Sequence, residues 1–166
     1  MNCELSAERL RELLHYNPET GDLTWITDLT NNVRAGDRAG TRNSKKYLQI
    51  RVGKRFYQAH RLAWLYMTGE WPAHHIDHIN CIRDDNRWCN LRPASRTQNL
   101  ANTKRYLNNT SGFKGVSFHR PSQKWLAQIR ANNVFHYLGI YKTPEEAHAA
   151  YCSAATKLFG EFARTV

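Results

Sequence analysis

The 166-residue chain has no apolar run approaching the roughly 20 residues that a membrane-spanning helix requires. Its low density of Leu, Ile and Val argues against a membrane protein. No Cys-x-x-Cys pair is present. Cys3, Cys81, Cys89 and Cys152 are too few and too scattered for a disulfide framework, so a reduced, cytoplasmic compartment is expected. The first residues, MNCELSAERL, hold two acids and no apolar stretch, which is unlike a secretory signal. There is no internal repeat, no low-complexity tract and no heptad stripe from which to build a symmetric dimer, so a monomer is expected.

Acids are well outnumbered by bases. Lys and Arg total 24 against 14 Asp and Glu, a net charge of +10. From Arg38 to Gly69 there are eight basic residues and no acid, and from Asn86 to Pro144 ten and no acid. The acids gather near the N-terminus, around Asp77 to Asp85, and at Glu145 and Glu146. A solvated surface usually mixes both signs. Two long acid-free stretches suit a chain lying along phosphates, which makes a polyanionic partner expected.

The local pattern divides the chain. Residues 5–16 read as a helix capped by Ser6, with Leu10, Leu13 and Leu14 on one face. Asn17-Pro18 stops it, a strand follows at 23–26, and residues 28–46 read as a loop. Residues 47–52 and 55–57 flank Gly53-Lys54 as a β-hairpin, and 59–68 form a helix ended by Gly69. His75 to Ile79 and Leu91 to Pro93 read as strands, and Ser95 caps a helix running to about Thr103. Residues 104–112 read as a linker. Beyond it come strands at 113–118, 125–131 and 135–141. A helix then starts at Thr143-Pro144-Glu145-Glu146, with a cap, a first-turn proline and acids at the positive end of its dipole.

Residues 74–102 concentrate chemistry. Asp77 offers a hard carboxylate, His78 an imidazole titrating near neutrality, and Asn99 an amide oxygen. Carboxylate with amide oxygen favours Mg2+ or Mn2+ over zinc. Such a cation suits phosphodiester hydrolysis, with His78 taking a proton from water. Neighbouring residues of a regular strand point to opposite faces, so Asp77 and His78 share a site only if the strand ends or bends there. Cys81 and Cys89 flank this His-rich segment, but their spacing matches no common zinc knuckle. A zinc-stabilised binding module using His74, His75, His78, Cys81 and Cys89 is therefore an alternative that metal analysis separates. His60, beside Arg61, either supports the site, touches DNA or is structural.

The run Ile76-Asp77-His78-Ile79-Asn80, then Asp85-Asn86-Arg87, Asn90-Leu91-Arg92 and Thr97-Gln98-Asn99, resembles the HNH endonuclease motif. Asn17-Pro18-Glu19-Thr20-Gly21, Ala35-Gly36-Asp37 and His60-Arg61-Leu62-Ala63-Trp64 resemble the phage- and intron-encoded homing members. The resemblance implies two strands and a helix around one divalent metal. It implies Asp77 and Asn99 as ligands, His78 as general base, and Asn90 ordering the loop and holding the base. In related toxins the ligand positions are His; Asp77 and Asn99 stand there in this chain, and the third falls at Thr103.

Residues 113–162 resemble the DNA-binding domain of plant ethylene-responsive factors, the Apetala family. The resemblance rests on Lys114-Gly115-Val116, Lys124 through Arg130, Tyr137-Leu138-Gly139-Ile140-Tyr141 and Thr143 through Ala147. It implies a three-stranded antiparallel sheet packed on one helix. It also implies Lys114, Ser117, His119, Gln128, Arg130 and Tyr137 facing DNA, with Arg120 and Lys124 adding backbone contacts. Trp125, Leu138 and Tyr151 are expected in the core.

Together these readings predict an α+β protein with four parts. They are an N-terminal region (1–73), an HNH ββα-metal motif (74–103), a linker (104–112) and an Apetala-type domain (113–166). The expected function is a site-recognising, homing-type HNH endonuclease that nicks double-stranded DNA with Mg2+ or Mn2+, needs no small-molecule cofactor and does not act at a membrane. The competing reading is a non-catalytic DNA-binding regulator with a degenerate nuclease fold.

Overall fold

The computed structural model describes residues 5–30, 32–106 and 108–165. Cys3 lies outside them, as does Leu107 of the expected linker. The fold mixes helix and sheet and divides into two compact units, Met1–Pro93 and Ala94–Val166. No helix among the described residues is long and apolar enough to cross a membrane.

In the first unit, helix α1 (Ala7–Leu13) is capped by Ser6, whose hydroxyl accepts from Arg9 N. The helix is shorter than expected, because Leu14 leaves helical dihedrals and begins β1 (Leu14–Tyr16). Leu14 and Tyr16 are buried and His15 is exposed, a period of two. Antiparallel pairing of Leu14 with Trp25 and Tyr16 with Leu23 on β2 (Leu23–Trp25) overrides the helical spacing of the leucines. The stretch expected to be loop contains a two-residue strand, β3 (Thr41–Arg42), which extends the hairpin of β4 (Leu48–Val52) and β5 (Arg55–Gln58) into a three-stranded sheet. Helix α2 (Ala59–Thr68) follows, stopped by Gly69 at φ 82°. Leu10, Leu14, Tyr16, Leu23, Ile50, Leu62 and Leu65 form the centre of the core. Against it stand β6 (His75–His78) and β7 (Leu91–Ala94), paired as a two-stranded sheet.

The second unit opens with α3 (Arg96–Ala101), whose capping box joins Ser95 and Gln98. Three strands, β8 (Val116–His119), β9 (Lys124–Ala131) and β10 (Val134–Tyr141), form an antiparallel sheet in the order β10-β9-β8. Helix α4 (Pro144–Phe159) is capped by Thr143 and packs on the sheet through Ala147, Tyr151 and Ala155. The first strand begins at Val116 rather than 113, because Gly115 takes φ 75° and bends the chain. A Cβ on Gly115 would lie 2.0 Å from Tyr151 Cδ2, so only glycine lets this backbone pass the ring. Gly115→Ala should therefore destabilise the unit by about 2–4 kcal/mol, from overpacking and left-handed strain together. Gly112, at φ 80° in open space, is the control: its alanine variant should cost only about 1 kcal/mol. Urea midpoints of the two variants check the difference.

Candidate functional site

The strand geometry of Asp77 and His78 resolves at the end of β6. His78 is its last residue, and a turn closes behind it, with Cys81 N donating to His78 O at 2.8 Å. Both side chains are buried, 4% and 5% exposed. Their partners differ, as alternation requires. Arg92 Nε, on β7, donates to Asp77 Oδ2 at 3.0 Å. The His78 ring sits edge-on to His60 with centroids 5.0 Å apart, and 6.1 Å from Tyr47.

Asn86 sets the state of His78. Its Oδ1 lies 3.2 Å from His78 Nε2, while its Nδ2 donates to Asp84 O at 3.4 Å. An amide oriented by that second bond presents its oxygen to the imidazole. An imidazole facing that oxygen through Nε2–H would keep its Nδ1 lone pair as the base. Asn86 is 1% exposed, and its carbonyl accepts from Tyr16 OH at 2.7 Å. Gly21 presses on the same segment: a Cβ there would meet Arg87 N at 2.4 Å. Burial lowers the pKa of His78, against the opposing pull of the Asn86 bond and of Asp77, Asp85 and Asp84. Burial, followed by the repulsion of His78 and Arg61, pushes His60 down to about 3. Both shifts keep these imidazoles neutral at physiological pH, the form that accepts a proton.

Asn90 ties the polar loop together. Its Oδ1 accepts from Asn80 N at 3.0 Å, its Nδ2 donates to Asp85 O at 2.7 Å, and its carbonyl accepts from Ile79 N at 2.9 Å. Asp85 accepts from Arg87 and Asn80, and the Arg87 bond chiefly holds its carboxyl down at about 2. Sequence reasoning quoted Asn86 within a motif without a role, and left His60 undecided. The available signal was the pairing of each with the spaced motif; the burial that defines their roles is tertiary.

Asn99 lies on α3, in the second unit, half-buried. Thr103 Oγ1 donates to Leu100 O at 2.7 Å. His74 and His75 are exposed. Among the described residues no group of three or more His, Cys, Asp or Glu could hold a metal ion. Taken singly, Asp77 offers a carboxylate and Asn99 an amide oxygen, donor types that suit a hard divalent cation.

On the second unit, the face of the sheet opposite α4 carries Ser117, His119, Lys124, Gln128, Arg130 and Tyr137, and the strand register aligns them in rungs. Tyr137 pairs with Gln128 and is 67% exposed. His119 Nδ1 lies 2.8 Å from Ser122 Oγ, and Arg120 opens the turn before Lys124. Lys114 precedes the strand, and its ammonium donates to the carbonyls of Ala101 and Thr103 at 2.6 and 2.7 Å. Phe135, absent from the expected set, shares a rung with Arg130, whose guanidinium sits 5.1 Å from the ring centroid. Trp125 and Leu138 pack half-buried against Val116, Ala127 and Ala147, and Tyr151 is buried.

Comparison with known proteins agrees with both halves. A family profile for HNH endonuclease matches residues 57–101, and one for the AP2 domain matches residues 111–161. Protein 3.8 of Escherichia phage T7 is 30% identical over 112 residues, covering 59% of this chain and 93% of the phage protein. The ethylene-responsive transcription factor ERN3 of Medicago truncatula is 43% identical over 70 residues, covering 41% of this chain and 29% of the plant protein. The ethylene-responsive transcription factor ERF084 of Arabidopsis thaliana is 45% identical over 58 residues, covering 34% and 22%. The chain thus spans less than a third of these plant factors. With an HNH segment followed by an AP2 domain, and a phage relative matched almost end to end, the chain belongs to the HNH endonuclease family and carries a C-terminal AP2 domain.

Proposed function

We propose that the protein is a site-recognising, homing-type DNA endonuclease that acts as a monomer in the cytoplasm (the host's, if it is phage-encoded) and nicks one strand. The observation that carries this reading is His78. It is a neutral, buried imidazole whose Nε2 meets the Asn86 amide and which follows the buried Asp77 carboxylate on β6. In this reading residues 74–103 are the ββα-metal motif, 1–73 support it, 104–112 link it to the AP2 domain, and 113–166 supply position and affinity. Asp77 and Asn99 would hold Mg2+ or Mn2+. When bound, the cation supplies Lewis-acid stabilisation of the charge developing on the leaving 3′ oxygen.

His78 takes the proton of the attacking water on its imidazole, which the Asn86 amide orients. Asn90 keeps the loop bearing Asn86 in place. The outer face of the AP2 sheet lies in the major groove, where side chains reach base edges. Ser117, His119, Gln128, Arg130 and Tyr137 face the bases, and Arg120 and Lys124 hold phosphates. The Lys114 ammonium contributes through its grip on Ala101 and Thr103 as well as by charge. A single hydrolytic centre per chain cuts one phosphodiester per engagement.

The test uses a supercoiled plasmid carrying one site recovered by selection from random duplexes, with Mg2+ or Mn2+ and low enzyme concentration. Open circles should accumulate well before linear product. Linear product appearing first, with a rate rising as the square of enzyme concentration, would exclude the monomeric nickase. Tight site binding with no cleavage under either metal would replace the nuclease with a DNA-binding regulator.

A further inference from the structure

We propose that Phe135 and Arg130 together read a 5-methylpyrimidine beside a guanine. Phe135 covers the 5-methyl group of thymine or 5-methylcytosine, and Arg130 donates to the guanine O6 and N7. The inference rests on the reading of β8–β10 as the DNA-facing sheet.

The pair is built by the turn that precedes it. Asn132 and Asn133 take φ 49° and 66°, the left-handed dihedrals of a two-residue hairpin that asparagine tolerates. That turn sets the register so that Arg130 stands directly opposite Phe135, with Gln128 opposite Tyr137 on the next rung. The guanidinium lies 5.1 Å from the Phe135 centroid, and Arg130 Nη2 reaches Asn133 Oδ1 at 3.5 Å. Stacking on the ring limits where the long Arg130 side chain can go.

Phe135 lies outside the core. It is 63% exposed and belongs to neither apolar cluster of this unit. The same face carries the half-buried Leu126 and Ile140 on the rung of Ser117, but Phe135 stands on a rung with Arg130 and is far more exposed, so its ring is the one offered to an apolar partner. In the major groove the one apolar group on a base edge is the pyrimidine 5-methyl, and guanine is the base whose paired acceptors match an arginine fork. Because ring and guanidinium are in contact, the two bases they meet are neighbours. No acid lies anywhere from Asn86 to Pro144, so nothing on this face opposes close approach to DNA.

The experiment uses the full chain in EDTA, which prevents cleavage, and duplexes selected from a random library. Within the selected site each thymine is replaced singly by uracil and each cytosine by 5-methylcytosine, and Kd is read by anisotropy. At one position beside a guanine, losing the methyl should weaken binding roughly threefold to tenfold, and gaining it should strengthen binding by a similar factor. Phe135→Ala should bind the methylated and unmethylated duplexes alike, and Phe135→Leu should retain part of the discrimination. Arg130→Ala should lose the preference for the adjacent guanine. Equal binding with and without the methyl at every position, or discrimination that survives Phe135→Ala, would overturn the inference while leaving the DNA-facing sheet intact. Failure to bind any duplex would overturn both.

Discussion

Replacing His78 by alanine should lower cleavage by roughly 10²–10⁴-fold while leaving duplex affinity within about threefold, because a general base acts on the chemical step and contributes little to binding. The side chain is buried, with Asn86 as the amide facing Nε2. Its removal therefore leaves a small void beside His60 and exposes no charge. Thermal unfolding separates that packing loss from the loss of the base. His78→Gln keeps an amide-sized group near Asn86 and should be as inactive as alanine but more stable. Cleavage at the wild-type rate by either variant would remove His78 from the mechanism.

The second large effect concerns the oxygen donors. Asp77→Asn and Asn99→Ala should each lower metal-supported cleavage by roughly 10–100-fold or more. Excess Mn2+ should restore Asn99→Ala further than Asp77→Asn, because losing a neutral amide weakens a hard-cation site less than losing its carboxylate. Asparagine is the better substitution at position 77, because Arg92 donates to Asp77 Oδ2 at 3.0 Å inside the protein. Alanine would remove that acceptor from the Arg92 guanidinium and so confuse folding with catalysis. Metal affinity measured by calorimetry gives a readout independent of turnover. Equal rescue of the two variants, or rescue of neither, would show that the ligand assignment is wrong.

Much of the fold was legible because local chemistry and tertiary packing agree. The helix at 59–68, its Gly69 stop, the Gly53-Lys54 hairpin and the Thr143 cap all lie where the residues point. Where they disagree, packing decides. Leu14 has helical spacing from Leu10, yet it and Tyr16 face the core from β1 because Trp25 and Leu23 offer them strand partners. Thr41-Arg42 has no strand signal of its own and exists as β3 because β4 presents an open edge.

The same division runs through the candidate site. By itself the sequence determined the excess of positive charge, the two acid-free stretches, and the ordered Asp-His, Asn and Asn spacing. These depend on residue identity and on separations of a few positions, where backbone geometry is nearly obligatory. Only the tertiary structure decided which imidazole is buried against which, that the Asn86 amide and not merely its neighbourhood meets His78, that Tyr16 anchors that loop from 70 residues away, and that Arg92 closes on Asp77. Those relations depend on burial and on contacts between distant segments. A side chain's chemistry is shared by every copy of that residue, and its surroundings are what fix its charge, tautomer and reach.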